Sequence, residues 1–358
     1  MIEEGADSLF LTHRAFPAIR RFGHMKRLNH LPLDESEIEK NLSEFSTEKE
    51  KTTFLNTGYV TFFFRIPGLG KFLAKWYKKG TIGGAVINSI RYPTHNSKRH
   101  DLPSKYLNLD NFPGIHLISG SARSGRSSTL ATMIDRINIE ETFKICIIHT
   151  GNFPDCRHKR GIVEDIVIGP GMTDLKQAVE LAIFSMETDC VAIDGIYGRD
   201  GLEALFFAAR CGLYCYATVF GQSVETVIQN ILYEWSHEDR KHILTLLSKR
   251  LNWILCQGLL PKEFGKERAL AFEFMRCSKE VRTLIEIDRL SELKKAFSGD
   301  YSDGQNIPME KSLANLYFDR YCSLKTIKNF ASSEIDEDYL NKLIERGAAS
   351  LGSPFFKK

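Results

Sequence analysis

A loop near the middle of the chain has the residue types and spacing of a phosphate-binding loop. Residues 120–127 read G-S-A-R-S-G-R-S, which matches G-x-x-x-x-G-K-S except that Arg126 stands where Lys is usual. In such loops, backbone N–H groups and a helix N-terminus surround phosphate oxygens, and the hydroxyl after the cation binds Mg²⁺. The alternative is a turn that caps a helix through Ser127 or Ser128. The predicted nucleotide-binding residues are Gly120, Ser121, Ala122, Arg123, Ser124, Gly125, Arg126, Ser127 and Ser128.

A carboxylate after an apolar run could complete a metal site. The run Cys190 to Ile193 ends in Asp194, and a strand that ends in Asp is a common place for a carboxylate that holds Mg²⁺. Ser127 and Asp194 are therefore the predicted metal ligands, although Asp194 fits a turn-capping residue equally well. No residue is assigned a catalytic role, and the two candidates are Asp194 and His149.

Arg126 weakens the prediction of tight nucleotide binding. Lysine carries a compact charge that reaches the β- and γ-phosphates, whereas arginine ends in a wide planar fork. We therefore expect ATP or ADP to bind weakly with Mg²⁺, and hydrolysis to be impaired.

The residues around the loop predict an α/β fold with a parallel sheet. Strands and helices alternate from residue 115 onward, which is typical of such folds. Beyond residue 224 the chain is predicted to be mostly helical, with one strand at 269–275. The predicted elements are strands at 116–119, 144–148, 190–194 and 214–220 and helices at 127–137, 174–185 and 202–210.

The N-terminal hundred residues predict a separate α+β module. Strands are expected at 7–12, 18–22 and 59–65, with strand pieces over 72–90 that are broken at glycines, and Asp34 is expected to cap a helix over 34–45. A polar, proline-bearing segment follows. The predicted division is an N-terminal domain at 1–97, a linker at 98–110 and a larger domain at 111–358.

Length and composition exclude several classes of protein. The 358 residues suffice for two domains, and 43% apolar with 26% charged residues is ordinary for a globular chain. A net charge of +3 argues against a purely electrostatic nucleic-acid binder. No apolar run approaches the ~20 residues of a membrane span, and the acidic N-terminus has no signal segment. The 8 cysteines include no C-x-x-C pair, which indicates reduced thiols in a cytoplasmic protein.

Dispersed motifs resemble one family, the hexameric secretion and pilus motor ATPases, and specifically the PilT-like retraction ATPases of type IV pili. Residues 5–11 are similar to its opening G-A-S-D-L-H-L, and residues 66–72 resemble I-P-G-L-G-R-F. Residues 120–129 are similar to G-P-T-G-S-G-K-S-T. Residues 271–275 resemble A-H-E-I-M, and residues 280–286 resemble A-I-R-N-L-I-R. The motifs occur in the family's order over nearly the whole chain.

The resemblance implies a PAS-like N-terminal domain and a RecA-like P-loop motor domain with a helical C-terminal part. It also implies a homo-oligomer, a ring of six subunits, in type IV pilus retraction, twitching motility or a related secretion system. The expected partners are an active paralogue and a platform protein at the inner membrane, with no nucleic acid. The expected location is the cytoplasm, including the cytoplasmic face of that membrane.

Five positions depart from the family pattern where its chemistry occurs. Besides Arg126, His149 stands where the family has the Glu that positions water, and Gly195 stands where it has the Glu of G-E. Phe220-Gly221 replaces the H-T whose His senses the γ-phosphate. Asn88 replaces an Arg that reaches the neighbouring subunit's nucleotide.

Two functional hypotheses follow from these departures. In the first, the chain is a motor subunit impaired in ATP hydrolysis that acts as a scaffold or regulator. In the second, it is an active ATPase in which Arg126 and Asp194 replace the usual Lys and Glu. ATP turnover by the purified protein distinguishes them.

Overall fold

The chain forms two compact units. The first comprises Met1–Pro93 with Gly151–Asp155, and the second comprises Thr94–Thr150 with Cys156–Lys358. The predicted linker at 98–110 lies outside the described residues. The computed structural model describes residues 1–21, 24–80, 82–90, 112–151, 153–154, 156–169, 172–264, 267–298, 306–330 and 335–350.

The first unit contains an antiparallel sheet in the order β3-β2-β1-β6-β5-β4. Alternate residues of β4, including Phe62 and Phe64, pack against helix residues Ile38 and Leu42. Its described elements are β1 (Ser8–Thr12), β2 (Ala18–Arg21), β3 (His24–Arg27), α1 (Glu35–Ser43), α2 (Glu48–Thr57), β4 (Tyr59–Ile66), β5 (Gly70–Lys79) and β6 (Ile82–Ile90).

Two capping boxes start the helices of this unit. Asp34 accepts a hydrogen bond from the Glu37 backbone N–H at 2.8 Å, and the Glu37 side chain accepts one from the Asp34 N–H, as the predicted cap requires. Thr47 and Glu50 repeat the arrangement at α2. The sequence reasoning missed α2 although its capping pattern T-x-x-E is present.

The glycines of β6 allow the neighbouring strands to approach closely. They were predicted to break the strand, but they do not. β6 runs through Gly83 and Gly84 and pairs with both β1 and β5. A Cβ at Gly84 would lie 2.6 Å from the Leu11 carbonyl oxygen, so a larger residue would separate the strands.

The second unit is built on a mostly parallel sheet in the order β13-β12-β7-β11-β10-β8-β9, in which β13 alone of the described strands runs antiparallel. This confirms the α/β fold class. Its described strands are β7 (Gly114–Gly120), β8 (Lys144–His149), β9 (Ile162–Val167), β10 (Cys190–Asp194), β11 (Tyr214–Thr218), β12 (Leu251–Pro261) and β13 (Arg268–Arg276).

The helices of this unit pack on a sheet whose central strands are almost wholly buried. Every residue of β7 is buried, as expected for a parallel strand covered on both faces. None of the described helices is long and apolar enough to cross a membrane. The described helices are α3 (Arg126–Glu140), α4 (Leu175–Glu180, continued by one π-helical turn to Ser185), α5 (Gly198–Arg210), α6 (Val224–Tyr233), α7 (Arg240–Arg250), α8 (Lys279–Glu286), α9 (Leu293–Ser298), α10 (Met309–Phe318), α11 (Leu324–Phe330) and α12 (Glu337–Ser350).

Two strands correct the prediction for this unit. Beyond residue 224 most of the described elements are helices, and the strand predicted at 269–275 is β13, but β12, which pairs with β13 in antiparallel register, was not predicted. The apolar run around Trp253 fits a buried strand and a buried helix equally, and periodicity cannot separate them. β9 is absent from the predicted strands, and Glu164 and Asp165 interrupt its apolar residues.

Candidate functional site

The phosphate-binding loop leads from β7 into α3, as the sequence predicts. Gly120, Arg123 and Gly125 have φ angles of 151°, 68° and 91°, so the loop makes sharp turns that favour glycine. Gly125 precedes α3 and has no side chain that could cap the helix. The N–H groups of the first turn of α3 therefore have no side-chain cap and can bind an anion.

Gln257, on β12, holds the loop from the neighbouring strand. Its Nε2 donates a hydrogen bond to the Ser124 carbonyl at 2.7 Å. A Cβ at Gly120 would lie 2.3 Å from the Gln257 carbonyl oxygen and 2.4 Å from Ser124 Oγ, so this position requires glycine. Within the described part of the chain, Gln257 Oε1 and Ser124 Oγ are buried without a hydrogen-bond partner. Sequence reasoning missed Gln257, because its segment was predicted to be helical.

Ser127 and Asp194, the predicted metal ligands, lie together. Ser127 Oγ donates to Asp194 Oδ1 at 2.9 Å, and Thr218 Oγ1, at the end of β11, donates to the same oxygen at 2.8 Å. Thr218 Oγ1 also accepts the Gly195 N–H at 2.7 Å. The pair offers the hydroxyl and carboxylate oxygens that Mg²⁺ prefers, so these residues fit such an ion. Thr218 has no sequence motif that would have revealed its role.

Burial opposes the ionisation of Asp194. Burial raises the pKa of the Asp194 carboxyl, whereas the hydrogen bonds from Thr218 and Ser127 and the electrostatic influence of His149 and Arg126 lower it. A divalent cation beside the carboxylate would offset the cost of burying its charge.

Arg126 is directed to the end of β11. Its Nη1 donates a hydrogen bond to the Val219 carbonyl, and its guanidinium lies over the Phe220 ring, 3.8 Å from the centroid. The Phe220 ring in turn packs beside Tyr197, with 5.6 Å between centroids. The residue at the position of the usual Lys therefore makes structural contacts.

His149 ends β8 directly beside Asp194 in the parallel sheet. The two residues are register partners, and His149 Nε2 lies 3.4 Å from Asp165 Oδ2 on β9. His149 and Asp194 line a cavity of about 240 Å³ at the carboxyl ends of β8 and β10, together with residues such as Asp200. His149 is 93% buried, so its ring is held at the edge of the cavity.

The other substituted positions carry no ionisable side chain. Gly195 has φ of 97°, and a Cβ there would lie 2.9 Å from the Tyr197 ring. Gly221 has φ of 156°, and a Cβ there would lie 2.5 Å from Val227 Cγ2. In the first unit, Asn88 accepts a hydrogen bond from Ser8 at 2.8 Å, within its own sheet.

Comparisons with known proteins find similar proteins among curated sequences and solved structures. No family model matches it. It is 22% identical to the type IV pilus retraction ATPase PilT of Pseudomonas aeruginosa over 82% of this chain and 85% of that protein. It is 21% identical to a twitching motility protein of Neisseria gonorrhoeae over 84% of this chain and 80% of that protein.

A solved structure matches both units. A crystal structure of the pilus retraction motor PilT with bound ADP superposes with a TM-score of 0.81, at 26% identity, over 94% of this chain and 96% of that one. The match covers the N-terminal domain and the RecA-like core, so the predicted fold is confirmed. The chain is therefore a homologue of the PilT-like type IV pilus retraction ATPases.

Proposed function

We propose that the chain is a PilT-like motor subunit that binds nucleotide weakly and is impaired in ATP hydrolysis. It acts as a scaffold or regulator in type IV pilus retraction, twitching motility or a related secretion system.

The loop and the metal pair support nucleotide binding. The first turn of α3 leaves N–H groups for a phosphate, and Ser127 with Asp194 provides oxygen ligands. Among the described residues, no three His, Cys, Asp or Glu side chains form a metal cluster. A Mg²⁺ here would therefore take its remaining ligands from phosphate oxygens and water, as Mg²⁺ does in other phosphate-transfer sites.

The observation that carries the proposal is Gly195. The family has a carboxylate at this position, and here the backbone has a positive φ under the Tyr197 ring, where a side chain would be strained. His149 occupies the family's other carboxylate position and is turned to Asp165. Loss of one positioned base typically costs 10²–10⁴ in rate. The penalties are not additive, and one of them suffices to make a slow motor.

A second candidate is an active retraction ATPase in which Arg126 and Asp194 replace the usual Lys and Glu. The contacts of Arg126 argue against it, because the guanidinium is engaged by Val219 and Phe220. Asp194 Oδ1 accepts hydrogen bonds from both Ser127 and Thr218, an arrangement that suits a metal ligand better than a catalytic base.

The ATP turnover of the purified protein in the presence of Mg²⁺ distinguishes the impaired subunit from the active ATPase. It is measured beside an active PilT under the same conditions. We expect no turnover above background, together with measurable ADP binding. Robust turnover that Asp194→Ala abolishes, and that Asp200→Ala in the same cavity leaves intact, would establish the active enzyme.

The family resemblance also supports a proposal for the oligomeric state, the cellular location and the partners of the chain. We propose a homo-oligomer, a ring of six, that assembles at the cytoplasmic face of the inner membrane with an active paralogue and a platform protein. Co-purification from cells that express a tagged chain would test these partners.

A further inference from the structure

Arg126, Val219 and Phe220 form a small cluster that we call the β11 latch. It joins the first residue of α3 to the end of β11, 93 residues further along. The hydrogen bond to the Val219 carbonyl fixes one edge of the guanidinium, and the Phe220 ring lies against its face. Both contacts suit the planar fork of arginine, and a lysine ammonium could not make both in this form.

The β11 latch holds the Arg126 guanidinium against Val219 and Phe220. A lysine at this position usually reaches the β- and γ-phosphates. Leaving the latch would cost Arg126 its hydrogen bond and its stacking, and would expose the Val219 carbonyl. Backbone N–H groups of the loop and the helix start remain for phosphate, and they do not depend on Arg126.

We propose that Arg126 is a latch and not a phosphate ligand, so that the site takes a nucleoside diphosphate at least as tightly as a triphosphate. This rests on the proposed nucleotide site. The γ-phosphate adds negative charge near the Asp194 carboxylate and gains no compensating contact from Arg126. Phe220, at the family's γ-phosphate-sensing position, has the opposite role here, because it keeps the cation away.

The tests are the affinities for ADP and ATP in Mg²⁺, measured by calorimetry, and the thermal midpoints of four variants. The variants are Arg126→Gln, Phe220→Leu, their combination and Arg210→Gln. Arg210 is the matched control, because it is an exposed arginine at the end of α5, outside the loop, and its replacement removes the same charge.

A latch predicts a specific set of results. Arg126→Gln should change ADP affinity no more than Arg210→Gln does, and should lower the thermal midpoint more. Phe220→Leu should free the guanidinium and tighten ATP about threefold or more, with a smaller effect on ADP. The double variant should lose this gain. Its thermal midpoint should be no lower than that of the worse single variant, because the two residues share one interaction.

Other results would overturn the inference. If Arg126→Gln weakened ADP binding about tenfold more than Arg210→Gln, Arg126 would be a phosphate ligand, since a charge-assisted hydrogen bond has that value. Unchanged ATP affinity in Phe220→Leu would show that Phe220 does not restrain the cation. If no variant bound nucleotide, the proposed function would fail. In that case the thermal midpoints still test the latch, because a decrease in the double variant equal to the sum of the two single decreases would reject it.

Discussion

Ser127 Oγ lies 2.9 Å from Asp194 Oδ1, so the two residues that fit a metal ion lie together, whereas His149 and Gly195 stand at the positions where the family has its carboxylates. The hydrogen bond joins the start of α3 to the end of β10, and Thr218 supports it from β11. Under the proposed function, the residues that would hold a nucleotide with Mg²⁺ are therefore separate from the substituted positions that would have taken part in hydrolysis.

Asp194→Asn should remove the Mg²⁺ dependence of ADP binding. The amide keeps an oxygen that can accept from Ser127 and Thr218, but it lacks the charge that attracts a divalent cation. ADP affinity measured with Mg²⁺ and with EDTA should differ in the wild type and converge in the variant. Asp200→Asn, in the same cavity, should behave like the wild type. Equal affinities with and without Mg²⁺ in the wild type would contradict the metal site.

Arg126→Lys should raise the affinity for ADP and ATP without restoring hydrolysis. Lysine lacks the planar fork that Val219 and Phe220 hold, and its compact charge suits the loop. A gain of about threefold to tenfold is expected by calorimetry, since one charge-assisted contact is worth about 1.5–3 kcal/mol before its own desolvation. Turnover should stay at background, because Gly195 still lacks a carboxylate. ATP hydrolysis regained by this single change would show that Arg126 was the main defect.

Gly195→Glu should destabilise the protein and leave turnover at background. The residue would carry a side chain at φ of 97°, with its Cβ 2.9 Å from the Tyr197 ring. Such backbone strain costs about 1–3 kcal/mol. Urea unfolding should show a lower free energy of unfolding for Gly195→Glu. The double variant Gly195→Glu with Tyr197→Ala relieves the contact with the ring and should recover part of this free energy. A stable single variant with PilT-like turnover would refute the structural reason given for Gly195.

The sequence predicted the loop, α3, β10 and the pairing of Ser127 with Asp194, because those signals are local or follow from parallel strand ends meeting at one edge. It did not predict Gln257 or Thr218. Each acts through a neighbour in space, with no motif of its own, and the strand of Gln257 was predicted as helix. The direction of Arg126 could not be predicted for the same reason, because it depends on Val219 and Phe220, which follow β11.

Glu273 should make the stability of the protein fall as the pH rises from about 4.5 to about 7. Burial raises the pKa of its carboxyl to about 7, and the nearby Glu310 adds to the shift, while the Val224 and Met309 N–H groups and Lys294 lower it. The ordinary value is 4.5, so between these values the folded state holds a proton that the unfolded chain has released. The free energy of unfolding should therefore decrease over that window, by up to about 3 kcal/mol, and stay reduced above it.

Urea unfolding at several pH values checks this, with Glu273→Gln beside the wild type. The variant keeps an acceptor for the Val224 N–H, which Glu273 binds at 2.8 Å, and should lose this part of the pH slope. The exposed Glu286→Gln should keep it. Identical slopes in wild type and Glu273→Gln would show that Glu273 titrates at its ordinary value.

Assembly of the chain should depend little on nucleotide. In the ring that the family implies, the N-terminal domain of one subunit contacts the motor domain of the next, a heterologous contact that closes by rotation. The family's Arg that links the neighbour to bound phosphate is here Asn88, which is hydrogen-bonded to Ser8 within its own sheet. Light scattering should give the same mass with and without ATP, and Asn88→Arg should make that mass respond to ATP. A wild-type monomer that becomes a hexamer only with ATP would show that another residue couples nucleotide to assembly.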